Sequence, residues 1–459
     1  MTKQRQHAQV PAPEVTKLES LKQLNLNAAG LDIGAAEIWG CVPEGRAEQT
    51  VRRFETFTTD LYALANWLKA CQIDTVAMES TGVYWIPIYE ILTEGGFEVY
   101  LVNARHIKNV PGKKSDVLDC QWIQQLHTYG LLQASFRPTE EMCALRAYIR
   151  HRDNLIRHRS SHVQHMQKAL HLMNVQLTNV ISDITGHTGM QIIRAIITGQ
   201  HDPIQLARYR DPRCASSEEE IAKALTGNYR PEHLFPLKQA VELYDFYNHQ
   251  IAACDIEIER KYAAIKPAFP VATEPLPSRK QSRRSKNEPK FDLRSDLYRL
   301  CGVDLTQIDG LDALTVQQII SETGVDMQRW PTVKHFTSWL TLAPHNDISG
   351  GKVLRSRTLK STNRAAQAFR MAAQSVGRSK SALGAFYRRM RAKHGAPKAL
   401  TATAHKLARI FYHMLKYREQ YNDPGQDYYE ERYRTRVIQN LHRRARELGM
   451  ELVPISDVS

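Results

Sequence analysis

Apolar and polar positions along the chain alternate first and then step in threes and fours. Leu31 to Val42 holds two apolar stretches around Gly34, and Val51 to Phe57 partly alternates, so three short strands joined by turns are predicted. Helical spacing takes over from Asp60 to Cys71. Thr75 to Met78 reads as a short buried strand, and Tyr84 to Glu94 as a helix ended by Gly95 and Gly96. Phe97 to Val102 reads as another strand, and Ser115 to Tyr129 as a helix closed by Gly130. The predicted order is three strands, then helix and strand in alternation, ending on a helix.

That order is the one found in the ribonuclease H-like fold, with a mixed sheet between helices. Beyond it the pattern is helical. After Pro138 and the cap candidate Thr139, the positions Leu145, Ile149, Arg152, Ile156, Arg159, Val163, Met166, Leu170 and Met173 step by alternating fours and threes. This is a coiled-coil seam in which two positions are arginine. Leu237, Val241, Tyr244, Ile251, Cys254, Ile258 and Ile265 look like a returning arm, whether the seam closes between subunits or within one chain. Six regions follow: a mobile arm over 1–26, the α/β domain over 27–137 and the coiled coil with its insertion over 138–266. Then come a Pro- and Arg-rich linker over 267–290, an all-α domain over 291–419 and a charged helical tail over 420–459.

Charge narrows the class of partner. Lys and Arg number 62 against 48 Asp and Glu, a net charge of +14, which suits a polyanion such as nucleic acid. No run reaches the length of a membrane span and Met1 to Leu21 lacks a signal-peptide core, so a cytoplasmic protein is expected. The 7 cysteines are scattered without a CxxC pair, which argues against a disulfide framework and against structural zinc.

Four carboxylates carry candidate chemistry. Asp32 lies in the first strand, Glu79 at the end of a later one ahead of Gly82, and Asp116 and Asp119 three apart on the last helix of the α/β domain. Taken singly, they read as an ion-pair partner, a turn residue and a helix cap. Taken together, they are the hard oxygen donors that divalent magnesium requires, and a pair of ions could stabilise both oxygens of a phosphoryl displacement. Lys113 and Lys114 precede them, either solvated or in contact with phosphate. On the coiled coil, Arg152 and Arg159 either pack their stems and send their heads to solvent, or grip phosphates with His151, Arg157, His158, His162 and His165.

In the second half, Leu305 to Gly324 reads as two short helices about a Gly-containing turn, similar to a helix-hairpin-helix, whose turn can offer N–H groups to phosphate. Asp312 replaces the second glycine of that hairpin, which favours plain helix packing. Leu342-Ala343-Pro344 then leads into a polar, glycine-flanked loop, His345 to Lys352, presenting Ser349 among Lys352, Arg355 and Arg357. A serine beside glycine is ordinarily a turn residue. Tyr387, Arg388, Arg389, Arg391, Lys393 and His394 form a basic segment in which interleaved aromatic and Arg side chains suit nucleic acid, a solvated helix face being the alternative.

Leu31-Asp32-Ile33-Gly34, Met78-Glu79-Ser80-Thr81-Gly82 and Lys114-Ser115-Asp116-Val117-Leu118-Asp119 resemble the motifs of the DEDD transposases of bacterial insertion sequences, the family of the Piv invertase and the bridge-RNA-guided recombinases. The resemblance implies a RuvC-like N-terminal domain in which Asp32, Glu79, Asp116 and Asp119 form the magnesium-binding tetrad. It maps the serine of the family's C-terminal LAP…SG motif, which attacks the phosphodiester, onto Ser349. It further implies double-stranded DNA at element ends and target, a structured noncoding RNA that pairs with both, and dimers pairing into a tetramer. The expected protein is a bacterial, nucleoid-associated recombinase. A hydrolytic nuclease or Holliday-junction resolvase without a covalent intermediate is the alternative, and a non-catalytic nucleic-acid-binding protein a further one.

Overall fold

A computed structural model describes residues 22–80, 82–103, 116–267, 269, 275–276, 278 and 286–453. The chain divides into two compact units, Met1–Arg137 and Pro138–Ser459.

The first unit is a five-stranded sheet in the order β3-β2-β1-β4-β5. Its strands are β1 (Ala28–Ile33), β2 (Glu37–Cys41), β3 (Val51–Glu55), β4 (Thr75–Glu79) and β5 (Glu98–Val102). β1 runs antiparallel to β2 and parallel to β4, which in turn runs parallel to β5, so the sheet is mixed as expected. Helices α1 (Thr58–Ala70) and α2 (Trp85–Glu94) contribute to one apolar core, which takes Ala29, Leu31 and Ile33 from β1 with Val76 and Met78 from β4. Side chains alternate across a strand. The other face therefore receives Ala28, Gly30 and Asp32 from β1, and Thr75, Ala77 and Glu79 from β4.

Helix α3 (Asp116–Thr128) covers that second face, with Ile123 and Leu126 packed with Ala77 and Val102. Its contact with β1 is at backbone distance: a Cβ on Gly30 would stand 2.3 Å from Gln124 N and 2.4 Å from Cys120 O. Gly30→Ala is expected to force the helix outward and destabilise the protein by about 1–3 kcal/mol, read from the midpoint of urea unfolding. At the far end, buried His127 meets Thr75 Oγ1 through Nε2 at 2.8 Å and packs on Tyr100. Burial lowers its pKa from 6.5 to about 4. The folded state holds His127 neutral while the unfolded chain protonates it, so stability present above about pH 6.5 is lost as the pH falls toward 4. His127→Gln is expected to flatten that part of a stability-against-pH curve.

In the second unit, α4 (Glu140–Leu172) and α9 (Pro231–Ala264) form an antiparallel hairpin, so the seam of Leu145, Ile149, Met166 and Leu170 meets Leu237, Val241, Ile251 and Ile258 of the same chain. Between the arms, α5 (Leu177–Val180), α6 (His187–Ile197), α7 (Pro203–Ala207) and α8 (Glu218–Ala224) give the hairpin tip an apolar core of its own. Ile192, Ile193, Ile196, Leu206 and Ile221 join Met166, Leu170 and Leu237 there, because two helices cannot close over the apolar ends of their own seam. At the hairpin's other end, Arg150 makes a forked contact with Glu322, with Nη2 at 2.8 Å from both carboxylate oxygens.

The remaining helices are α10 (Leu293–Cys301), α11 (Ala313–Thr323), α12 (Val333–Trp339), α13 (Arg364–Val376), α14 (Ala382–His394), α15 (Ala396–Tyr417) and α16 (Gly425–Glu447). Phe336, Phe369, Phe411 and Tyr412 are fully buried among them. The expected pair of helices about Gly310 is corrected: Leu305–Gln307 is a single 3-10 turn, and only α11 follows. Asp312 caps α11, its Oδ1 accepting from Thr315 N at 2.8 Å. Gly310, at φ +88°, lies where a Cβ would meet Val376 Cγ2 at 2.4 Å and Ala372 O at 2.7 Å. This turn is a helix-packing device.

Candidate active site

The sheet brings the first-unit carboxylates together from the backbone up. Leu31 pairs with Met78 in the parallel β1–β4 register, so one step further Asp32 and Glu79 are neighbours on the face that α3 covers. Helix α3 runs against the strands: Gln124 Nε2 donates to Ala28 O at 3.4 Å, and Cys120 lies over Gly30. Four helical residues rise about 6 Å and two strand residues about 6.6 Å. The next step along both elements is position 116 on the helix and Asp32 on the strand. Asp119 stands one turn before buried Ile123, hence on the sheet-facing side.

Three carboxylates from three elements thus sit at one end of the sheet, with the backbone of Asp116 beside them. The side chain of Asp116 lies outside the described residues, as do Lys113, Lys114 and Thr81. Among the described residues no three His, Cys, Asp or Glu side chains close into a metal cage. The donor set nevertheless has the chemistry of a hard divalent cation: carboxylate oxygens only, on rigid strand ends and a helix. Cys120, buried over Gly30, is held as a thiol: its hydrogen bond with Cys41, its burial and the nearby Asp32 carboxylate raise its pKa.

Ser349 is placed by a different device. The polar loop of the sequence reading is a β-hairpin, β6 (His345–Ser349) and β7 (Lys352–Arg357), every residue of which is exposed. Gly350 and Gly351 form its two-residue turn at φ +53° and +76°. Both central residues of such a turn need the left-handed region, which suits glycine and matches the strand twist. Leu342, 2% exposed, anchors the segment just ahead of β6, its N–H donating to Thr337 O at 3.0 Å.

Register then decides which side chains share a face. Ser349 pairs with Lys352, Asp347 with Arg355 and His345 with Arg357, the register shift after Asp347 absorbing Leu354. All six lie on one side of the ribbon, and His345 Nδ1 lies 3.6 Å from Asp347 Oδ1. Ile348 and Val353 form the opposite side. The hydroxyl is therefore exposed beside one cation and at the head of a row containing two more. His345 and Asp347 were not among the sequence candidates, although their alternation with Ser349 in a strand ending at Gly-Gly is a usable signal.

Comparison with known proteins bears on both halves. The profile of the IS110-type DEDD transposase domain, described as a transposase, matches residues 29–175, and that of the transposase IS116/IS110/IS902 family matches residues 304–388. The chain belongs to the IS110-type DEDD transposases. No curated protein matches it. The transposase acts on DNA in transposition and recombination, with a RuvC-like α/β domain and a helical C-terminal region. No helix among the described residues is long and apolar enough to cross a membrane.

The transposase's predicted phosphate contacts divide into two groups. Arg152 is a correction: its side chain is 5% exposed and ion-paired through Nε with Asp255, while Nη2 donates to Asn287 O at 2.9 Å. Its head does not snorkel to solvent. Arg159 is half-buried and donates to Asn248 Oδ1 at 2.9 Å and Asn287 Oδ1 at 2.7 Å. Arg388 donates to Gly377 O and Ser379 O and to Gln426 Oε1 at 2.7 Å, and Arg389 packs on Tyr429 and Tyr433. Lys352, Arg355, Arg357 and Arg391 are exposed, as is Arg388.

Proposed function

We propose that the transposase cuts and rejoins double-stranded DNA through a covalent phosphoserine at Ser349. The observation that carries this reading is the hairpin: an exposed hydroxyl set next to Lys352 by a Gly-Gly turn, with Arg355 and Arg357 on the same side. Ser349 Oγ attacks the scissile phosphorus, its proton passes to a base, and the displaced ester oxygen leaves protonated as a DNA hydroxyl. One P–O bond forms as another breaks, so the phosphoester is kept for rejoining. Attack by a hydroxyl of a second strand reverses the exchange and frees the serine. Lys352, Arg355 and Arg357 offset the charge gathering on the phosphoryl oxygens.

Asp32, Glu79, Asp116 and Asp119 hold magnesium in this reading. Held there, magnesium would supply positive charge to offset that of the phosphate. A structured noncoding RNA supplies sequence choice by pairing with element end and target, and subunits associate as a dimer or tetramer in the bacterial cytoplasm. The net charge of +14 supports binding to polyanions.

The test is a denaturing gel of labelled element-end and target DNA incubated with the full chain, magnesium and RNA transcribed from the flanks of the gene. Protein-linked DNA that disappears on chelation is expected. Metal-dependent cleavage with free ends and no linked protein would instead establish a hydrolytic nuclease or junction resolvase.

A further inference from the structure

Helices α14, α15 and α16 enclose a cleft of about 600 Å³ that lies almost wholly beyond both family segments. Its walls carry five cations, Arg389, Lys406, Arg409, Arg432 and Arg436, against one carboxylate, Glu419. Lys406 is half-buried in that wall. Its Nζ lies 3.9 Å from the Phe386 ring centroid, it makes no ion pair among the described residues, and burial with Arg409 and Arg436 lowers its pKa.

A cleft that gathers five cations against one carboxylate is costly in the free protein, and a polyanion removes that cost. Apolar packing does not explain the arrangement, because α16 has no buried residue. Polar and aromatic contacts hold it: Asp423 accepts from Ala382 N at 3.1 Å, and Tyr429 meets Phe386 edge-on. Besides Arg432 and Arg436 on the cleft wall, α16 carries Arg434, Arg443, Arg444 and Arg446, with no carboxylate between 432 and 446, so the positive surface continues along the helix.

Ring faces distinguish the ligand from a bare anion. Tyr428 is 48% exposed and Tyr433 38% exposed, both lining the cleft beside the cations. Arg389 already stacks on Tyr433 and Arg432 reaches Tyr428 at 5.7 Å, so planar cationic and aromatic surfaces are held in alternation. Flat faces next to phosphate-binding cations suit an unstacked base with its own phosphate, a combination that single strands offer and a closed duplex withholds.

We propose that this cleft binds an unpaired nucleotide of single-stranded RNA or DNA. Lys406, Arg409 and Arg436 take the phosphate, and Tyr428 or Tyr433 takes the base. The inference stands apart from the serine chemistry, whose failure would leave it intact.

Fluorescence anisotropy of the full chain tests it, using one short sequence as labelled single-stranded RNA, as single-stranded DNA and as DNA duplex. The exposed double variant Arg409→Glu/Arg436→Glu is expected to weaken single-strand binding by tenfold or more, and Tyr428→Ala by about tenfold, with duplex binding changed less than about twofold. The larger loss on the RNA or the DNA arm names the source of the strand. With 4-thiouridine in the RNA and 5-bromouracil in the DNA, photocrosslinks at Tyr428 or Tyr433 are expected on that arm. Equal losses on single strands and duplex, or no loss with either variant, would overturn the proposal.

Discussion

Replacing Ser349 by alanine is expected to remove protein-linked DNA altogether and to lower strand exchange by about four to six orders of magnitude, the scale of losing a covalent nucleophile. Ser349 is exposed at a hairpin turn and makes no buried contact, so thermal stability should stay within about 0.5 kcal/mol of wild type. Asp32→Asn is the companion experiment. It keeps shape on β1 but removes a charge at the sheet end shared with Glu79, and exchange should fall by about a thousandfold. The two variants separate on single-turnover gels. Either should lose the adduct in this account, whereas a hydrolytic enzyme would lose cleavage only with Asp32→Asn and leave Ser349→Ala active.

The second large effect is on stability. Asp255→Ala leaves the Arg152 guanidinium buried and unpaired within the α4–α9 hairpin, at a cost of about 3–5 kcal/mol. Chemical denaturation followed by helical circular dichroism checks this. Replacing both members, as Arg152→Met with Asp255→Leu, should recover most of the loss, because the apolar pair fills the seam without an uncompensated charge. Loss of no more than 1 kcal/mol in Asp255→Ala would mean that Arg152 finds water or another partner.

The α/β unit was legible because its signals are local. Short apolar runs separated by turns and helices predict five strands in the chain order found, with Asp32 in the first and Glu79 at the end of the fourth. What the pattern could not supply was the partner of each polar residue in the seam. Arg152 looked like a cation on an apolar stripe, and only the antiparallel return of α9 brings Asp255 opposite it across 103 residues of sequence. The turn at Gly310 was similarly ambiguous, because α13, which occupies the space where its Cβ would go, lies far along the chain.

The hairpin bearing Ser349 was hidden for another reason. His345-Asn346-Asp347-Ile348-Ser349 is too polar to show a half-buried strand, since neither side of the ribbon is buried. Gly350-Gly351 was the available sign. Once the register is known, a polar stretch with a serine becomes a ribbon with Ser349, Lys352, Arg355 and Arg357 on one side.

The central claim is the covalent bond at Ser349, and the most direct measurement is of the adduct itself. Protein-linked DNA trapped during a single turnover is digested with nuclease and protease, and the peptide containing residues 345–352 is sequenced by tandem mass spectrometry. A nucleotide joined through phosphate to Ser349 Oγ is the predicted result. A nucleotide on any other residue, or an unmodified Ser349 peptide at full abundance, would contradict the account.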